Sequence, residues 1–314
     1  AANNSSAGTD LTINAATTTG DNDGIDGVNM GSGALSITTT GTTKGSEDGI
    51  DATNYGTDLT IIAVNTYGGE DDIETDNDGI DAINKGTGVL SITATGTTTG
   101  GDNGIDAYND GTSLTIIALD TTGFDDGIDA NNGGTGALSI TTTGTTKGGE
   151  DGIDATNYGT DLTIIAVNTY GGEDDIETDN DGIDAINKGT GVLSITATGT
   201  TTGGDNGIDA YNDGTSLTII ALDTTGFDDG IDAFNDGTGA LSITTTGETT
   251  GETDDGIYAY NYAGTDLTIN AATTTGANEG IDAYNYGSGA LSITTTGTTT
   301  GTAGNGIDAY NSSA

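Results

Sequence analysis

The sequence predicts an all-β chain, a parallel β-solenoid (β-helix) of about twelve rungs wound in the right-handed sense, on three observations. The first is a string of the form Gly-Ile-Asp-Ala-x-Asn that recurs twelve times, with Ile at 25, 50, 80, 105, 128, 153, 183, 208, 231, 257, 281 and 307. The residue after Ile is Asp in every copy except Tyr258, the next is Ala except Gly27, and the closing Asn never varies. The second is a block, Leu-Thr-Ile or Leu-Ser-Ile, also present twelve times from Leu11 to Leu291, with the two versions alternating strictly. The third is the period itself, 23–30 residues between successive Ile positions, a spacing that belongs to stacked repeats. Residues 47–130 and 150–233 are identical over 84 positions. A repeat that duplicates whole contacts only its neighbours. The chain, 1–314, therefore reads as a single repeat domain with half-rungs at both ends.

Taken in order, residues 1–10 are small and polar, and Leu11-Thr12-Ile13-Asn14-Ala15 begins a strand. Period-two alternation puts Leu11, Ile13 and Ala15 on one face and Thr12 and Asn14 on the other. A turn carrying Gly20 and Gly24 leads to the next strand, where Ile25, Gly27 and Asn29 face inward and Asp26 and Val28 outward. Gly31 and Gly33 turn the chain into Ala34-Leu35-Ser36-Ile37, and this two-strand pattern persists to the end. The density of Gly, Thr and Asn disfavours helix throughout. From the Ile-Asp strand to the Leu-x-Ile strand the two Ile residues are always 11 or 12 apart, whereas the return distance runs from 12 to 19. One corner is fixed and the other accepts insertions, the largest at residues 68–77 and 171–180. The Asn column, at 29, 54, 84, 109, 132, 157, 187, 212, 235, 261, 285 and 311 (Asn29, Asn54, Asn84, Asn109, Asn132, Asn157, Asn187, Asn212, Asn235, Asn261, Asn285, Asn311), is placed at the fixed corner as a structural ladder of stacked amides. Outward aromatics Tyr108, Tyr211, Phe234, Tyr260, Tyr284 and Tyr310 share one column, which Thr53, Ile83 and Asn131 interrupt.

Composition narrows the chemistry. The chain has 49 acids against four lysines, a formal net charge of −45, and no His, Cys, Pro or Trp. Such a balance in an unpatterned chain argues for disorder; the regular Leu, Ile and Thr positions argue for strands instead. Direct nucleic-acid binding is excluded, because it requires neutralising phosphates with Lys and Arg. Binding to anionic membranes fails for the same reason, and no apolar run is long enough to span a bilayer as a helix. With no His or Cys to build an activated nucleophile, and with carboxylates recurring in every repeat, no catalytic residue is assigned and no enzyme activity is expected.

Strings such as Asp255-Gly256-Ile257-Tyr258-Ala259-Tyr260-Asn261, Gly264-Thr265-Asp266-Leu267-Thr268-Ile269 and Gly289-Ala290-Leu291-Ser292-Ile293-Thr294 resemble repeats of autotransporter-type surface proteins of Gram-negative bacteria, over nearly the whole chain. The resemblance implies a parallel β-helical passenger, exported and displayed at the cell surface, often for adhesion. These 314 residues contain neither that family's membrane barrel nor its junction segment, so the expectation is a fragment or a separately secreted subunit. No catalytic residues carry over.

The acids carry the sharpest chemical signal. The position two before Ile is acidic in nine of twelve repeats and Asn in the other three, and Asp follows Ile in eleven. Stacked at 4.7–4.9 Å, neighbouring carboxylates in one column repel by roughly 0.9 kcal/mol even at the dielectric of water. Acidic, Gly-containing turns are what Ca2+ prefers. The candidate ligands are Asp48, Asp51, Asp78, Asp81, Asp126, Asp129, Asp151, Asp154, Asp181, Asp184, Asp229 and Asp232, with Ca2+ the cofactor and no organic cofactor. Asp76-Asn77-Asp78-Gly79 looks like the start of an EF-hand loop but lacks its closing Glu. The alternative is a solvated acidic edge that keeps the protein soluble.

These readings combine into a secreted structural protein, the β-solenoid subunit of an extracellular filament or a surface adhesin. Its expected partners are itself, joined head to tail through complementary half-rungs, and cell-surface or matrix components. A calcium-dependent passenger or spacer of a larger autotransporter is the first alternative. The second is an ice-binding face, from Thr runs such as Thr38-Thr39-Thr40; those runs otherwise read as outward strand residues.

Overall fold

The computed structural model describes residues 1–5, 8–69, 77–172 and 180–312. It is a parallel β-solenoid of about 12 turns with no helix among the described residues, so no helix is long and apolar enough to cross a membrane. The chain divides into two compact units. One is Ala1–Gly149 with Asn157–Gly159, and the other is Glu150–Thr156 with Thr160–Ala314. The division falls where the second copy of the 84-residue duplication begins.

Both units are built alike. In the first, Ile25–Asn29, Ile50–Asn54, Ile80–Asn84, Ile105–Asn109 and Ile128–Asn132 form a parallel sheet in that order. Register is like for like: Ile80 pairs with Ile50 and Ile105, Asp81 with Asp51 and Asp106, Asn84 with Asn54 and Asn109. The second unit repeats this from Ile183–Asn187 to Ile307–Asn311. The Leu-x-Ile strands form the other face, again with identical positions opposite, Leu90 against Leu59 and Leu114. A one-residue slip would turn every apolar side chain outward, so the alternating pattern holds the register.

Period-two burial follows. Ile105, Ala107 and Asn109 are buried while Asp106 and Tyr108 are half exposed, and Leu114, Ile116 and Ala118 are buried while Thr115 is half exposed. The core is thus a stack of Leu, Ile and Ala columns, each turn burying its apolar face within itself and against the turns on either side.

Two expectations need correction. Each turn has a third strand, as at Thr42–Lys44, Asn65–Tyr67 and Thr273–Gly276. In other turns it is continuous with the Leu-x-Ile strand, as in Leu90–Thr99, whose register shifts between Ala94 and Thr97. The Thr runs are also not simply outward. A Thr-x-Gly triplet occurs in all twelve repeats, and its Thr points inward: Thr43, Thr66, Thr98, Thr121, Thr146, Thr169, Thr201, Thr224, Thr249 and Thr274 are 0% exposed. A two-strand turn would leave that segment's backbone groups without partners, and the third strand pairs them along the stack. The acidic insertions at 68–77 and 171–180 lie mostly outside the described residues, as do Asp76 of the EF-hand-like string and the last two residues.

The invariant Gly before each Ile has a steric cause. A Cβ on Gly79 would sit 2.5 Å from the Gly104 carbonyl oxygen and 2.7 Å from the Thr98 methyl. Backbone and Thr column approach too closely at this corner for any larger residue.

Candidate functional site

Two polar ladders and one aromatic stack run along the solenoid, and each grows out of the like-for-like register.

The Asn ladder is buried; Asn54, Asn84, Asn109 and Asn132 are 0% exposed. In the first unit the Asn54 amide donates to Asn84 Oδ1 at 2.9 Å, Asn84 to Asn109 at 2.8 Å and Asn109 to Asn132 at 2.8 Å. In the second unit Asn187 donates to Asn212, Asn212 to Asn235, and Asn235 to Asn261. The other amide hydrogen bonds a carbonyl of the following turn, Gly88 for Asn84, while Oδ1 accepts the Gly86 N–H. At Asn84 two donors and two lone pairs are all used. Asp lacks the donors and Gln is a methylene too long, which accounts for a column that never varies. This is scaffold, not a ligand site.

The acids two before each Ile form a second ladder that needs only an acceptor. Asp48 Oδ1 accepts the Asp78 N–H at 2.8 Å, Asp78 accepts from Asn103 at 2.7 Å, and Asn103 accepts from Asp126 at 3.0 Å. In the second unit the series runs Asp181 to Asn206, Asn206 to Asp229, Asp229 to Asp255 and Asp255 to Glu279. A carboxylate and an amide oxygen serve equally, so acids and Asn both occur here while the other column holds only Asn. The sequence pattern read as metal-ligand density is partly a row of backbone caps.

That role pushes the carboxyls out of their ordinary range. Burial raises Asp78 to about 9, Asp181 and Asp229 to about 8, and Asp48 and Asp255 to about 7, against the opposing effect of the backbone N–H each accepts. In the parallel column after Ile, burial with help from neighbouring Asp residues raises Asp51 to about 6 and Asp232 to about 7. Desolvation disfavours the charged form, and in-register like charges add to it.

Of the twelve carboxylates read as metal ligands, the structure gathers three at one point. Asp151, Asp154 and Asp184 bring carboxylate oxygens within 4.8 Å of one another, all half-buried. A second triplet, Asp229, Asp254 and Asp255, contains one of the twelve and two outside that set. Its sequence signal is an extra acid beside the ladder position, Asp254 before Asp255. Asp48, Asp51, Asp78, Asp81, Asp126, Asp129, Asp181 and Asp232 join no triplet among the described residues. The donors are all hard oxygens, the set that suits Ca2+; three protein oxygens leave the remaining positions of a six- to eight-fold shell to other ligands.

In the second unit the aromatic column is continuous from Tyr211 to Tyr310. Tyr211 stacks on Phe234 at 5.3 Å and Phe234 on Tyr260 at 4.9 Å, with planes within 10°. Tyr262 and Tyr286, one outward position further along, join it: Tyr260 lies 5.3 Å from Tyr286, and Tyr286 lies 5.5 Å from Tyr310.

Fold and ladders together define a class, the acidic parallel β-solenoid repeat proteins. No protein-family profile, curated protein or solved structure matches the chain.

Proposed function

We propose that this protein is a secreted structural β-solenoid, a cation-binding component of an extracellular filament or surface adhesin, of the type displayed as autotransporter passengers. The observation that carries this reading is that its chemistry is distributed: the same amide ladder and carboxylate ladder recur turn after turn, and the acid triplets are local thickenings of that pattern. A repeated surface suits mechanical extension and multivalent contact, where many weak sites act together. Ca2+ at Asp151, Asp154 and Asp184 and at Asp229, Asp254 and Asp255 would relieve the like-charge repulsion within the columns. Head-to-tail association of copies belongs to the same reading, since every turn presents the next with the same donors, acceptors and side chains in register.

Calorimetric titration of chelator-treated protein with Ca2+ at fixed ionic strength tests it, read beside the melting temperature. Saturable binding that raises the melting point, and that weakens in Asp154→Asn and Asp254→Asn, is the expected result. Heats that vanish at physiological salt and leave the melting point unmoved reject the cation reading. Electron microscopy at rising concentration tests assembly separately.

One observation favours the ice-binding alternative as a second reading. On a chain of charge −45, two outward columns at the Leu-x-Ile end of the sheet carry no charge. One reads Ser36, Thr60, Ser91, Thr115, Ser139, and the next alternates Thr38, Ile62, Thr93, Ile117 and Thr141. Ile62 and Ile117 are 43% and 44% exposed there. A flat row of hydroxyls and methyls suits ordered water. Absence of thermal hysteresis at millimolar protein ends this reading.

A further inference from the structure

The tyrosines of the second unit are gathered to a degree that neither the scaffold nor the cation reading uses. Seven Tyr–Tyr ring contacts join Tyr258, Tyr260, Tyr262, Tyr284, Tyr286 and Tyr310, at centroid separations from 5.3 to 6.4 Å. The pairs Tyr260–Tyr286 and Tyr286–Tyr310 are the nearest, tilted by 40° and 48°. Tyr262, Tyr286 and Tyr310 are 55%, 42% and 49% exposed, so the group is open to reagents. We propose that this cluster is an oxidative modification site, at which neighbouring turns become joined covalently through tyrosine–tyrosine coupling.

Three features converge on it. First, the chain holds no Cys, Trp or His and a single Met, so a one-electron oxidant finds tyrosine as the main sink. Second, phenol oxidation releases the hydroxyl proton, and a carboxylate lies near to receive it: Asp282, two residues before Tyr284 on the same outward face of its strand, sits within electrostatic reach of the phenol. Third, the five contacts between neighbouring turns are tilted by 40–54° instead of lying flat, which turns ring edges, where the carbons beside the hydroxyl lie, toward the neighbour. A chain without disulfides thereby has a covalent staple across its stack. The flat pairs Tyr211–Phe234 and Phe234–Tyr260 cannot couple, because Phe has no phenol.

The step balances as follows. Two phenols each lose one electron and the hydroxyl proton, giving two phenoxyl radicals. These join by one carbon–carbon bond between positions ortho to oxygen. Each bonded carbon then loses its hydrogen as a proton while its oxygen regains one. The net loss is two electrons and two protons, which one hydrogen peroxide, acting through a haem peroxidase, takes up to form two waters.

The test is treatment of dilute protein with peroxidase and hydrogen peroxide, followed by dityrosine fluorescence, denaturing gel electrophoresis and peptide mapping. The expected product is dityrosine in single chains, linking the segment 257–262 to 281–286, or 281–286 to 307–311. The variant Tyr260→Phe/Tyr284→Phe/Tyr286→Phe keeps every ring but leaves none of the seven contacts with two phenols, and should lose the intrachain product; Tyr286→Phe alone should lose the two nearest pairs. Circular dichroism melts of both variants confirm that the stack is retained. Absence of dityrosine, coupling only between chains, or a yield undiminished in the triple variant overturns the proposal.

Discussion

At the residue scale, three substitutions separate what each column does. Asn84→Asp keeps shape but replaces two donors with charge inside a filled network. Each stranded partner is worth about 1–3 kcal/mol, so a loss of roughly 3 kcal/mol or more is expected, read as a lowered denaturation midpoint. Thr98→Val goes the other way. The Thr98 hydroxyl is fully buried with no hydrogen-bond partner, and replacing an unpaired polar group with an isosteric methyl should stabilise by about 1 kcal/mol. Gly27 occupies the column that holds Ala in the other eleven repeats, with Ile13 and Ile37 methyls 3.1 and 3.2 Å from where its Cβ would stand. Those are flexible side-chain ends, so Gly27→Ala should stabilise by about 0.4–1 kcal/mol through the unfolded chain. Chemical denaturation of the three variants decides each sign.

At the element scale, the parallel strand is also the ruler for every side-chain ladder. Like-for-like register places Asn on Asn, where a residue that is both donor and acceptor can chain indefinitely, and Asp on Asp, where it cannot. The acid column escapes by bonding backbone N–H groups of the next turn. Asp78→Asn should therefore be tolerated: Asn already fills this position at Asn103 and Asn206, making the same bond. Asp78→Ala removes the acceptor from a buried N–H and should cost about 1–3 kcal/mol. The contrast, measured by thermal melts, distinguishes a capping role from a purely electrostatic one.

At the scale of the whole molecule, the raised carboxyls make stability depend on pH in an unusual direction. Their folded pKa values, from about 6 at Asp51 to about 9 at Asp78, lie above the ordinary value near 4. Between these limits the folded protein binds protons that the unfolded chain releases, so stability falls as pH rises. The contribution is complete below about pH 4 and is lost progressively toward pH 9. In chelator, the melting temperature should decline steadily from pH 5 to pH 9. Added Ca2+ should flatten that decline, because a divalent ion replaces protons as the neutralising charge and gains affinity as they leave. A melting temperature that rises over this range contradicts the burial of these acids.

By itself the sequence determined the fold class, the period, the inward columns of the Ile-Asp and Leu-x-Ile strands and the stacking of Asn on Asn. Each follows from local rules, a period of two within strands and a period of about 25 residues between them, that need no knowledge of which turn meets which. Only the tertiary structure decided the rest. The third strand was hidden because Thr serves equally well inward or outward, and it is the close approach at Gly79 and its equivalents that admits a Thr methyl. The double role of the acids was hidden because a carboxylate that caps a backbone N–H and one that awaits a cation have the same letter. Which acids meet in threes depends on side-chain directions at neighbouring corners, set by turns whose spacing varies from repeat to repeat. The tyrosine cluster was half legible, since its column is visible in the string, but Tyr262 joins by leaning on Tyr260 of its own turn, and Tyr286 because successive turns lie close enough to bring it against Tyr260 and Tyr310.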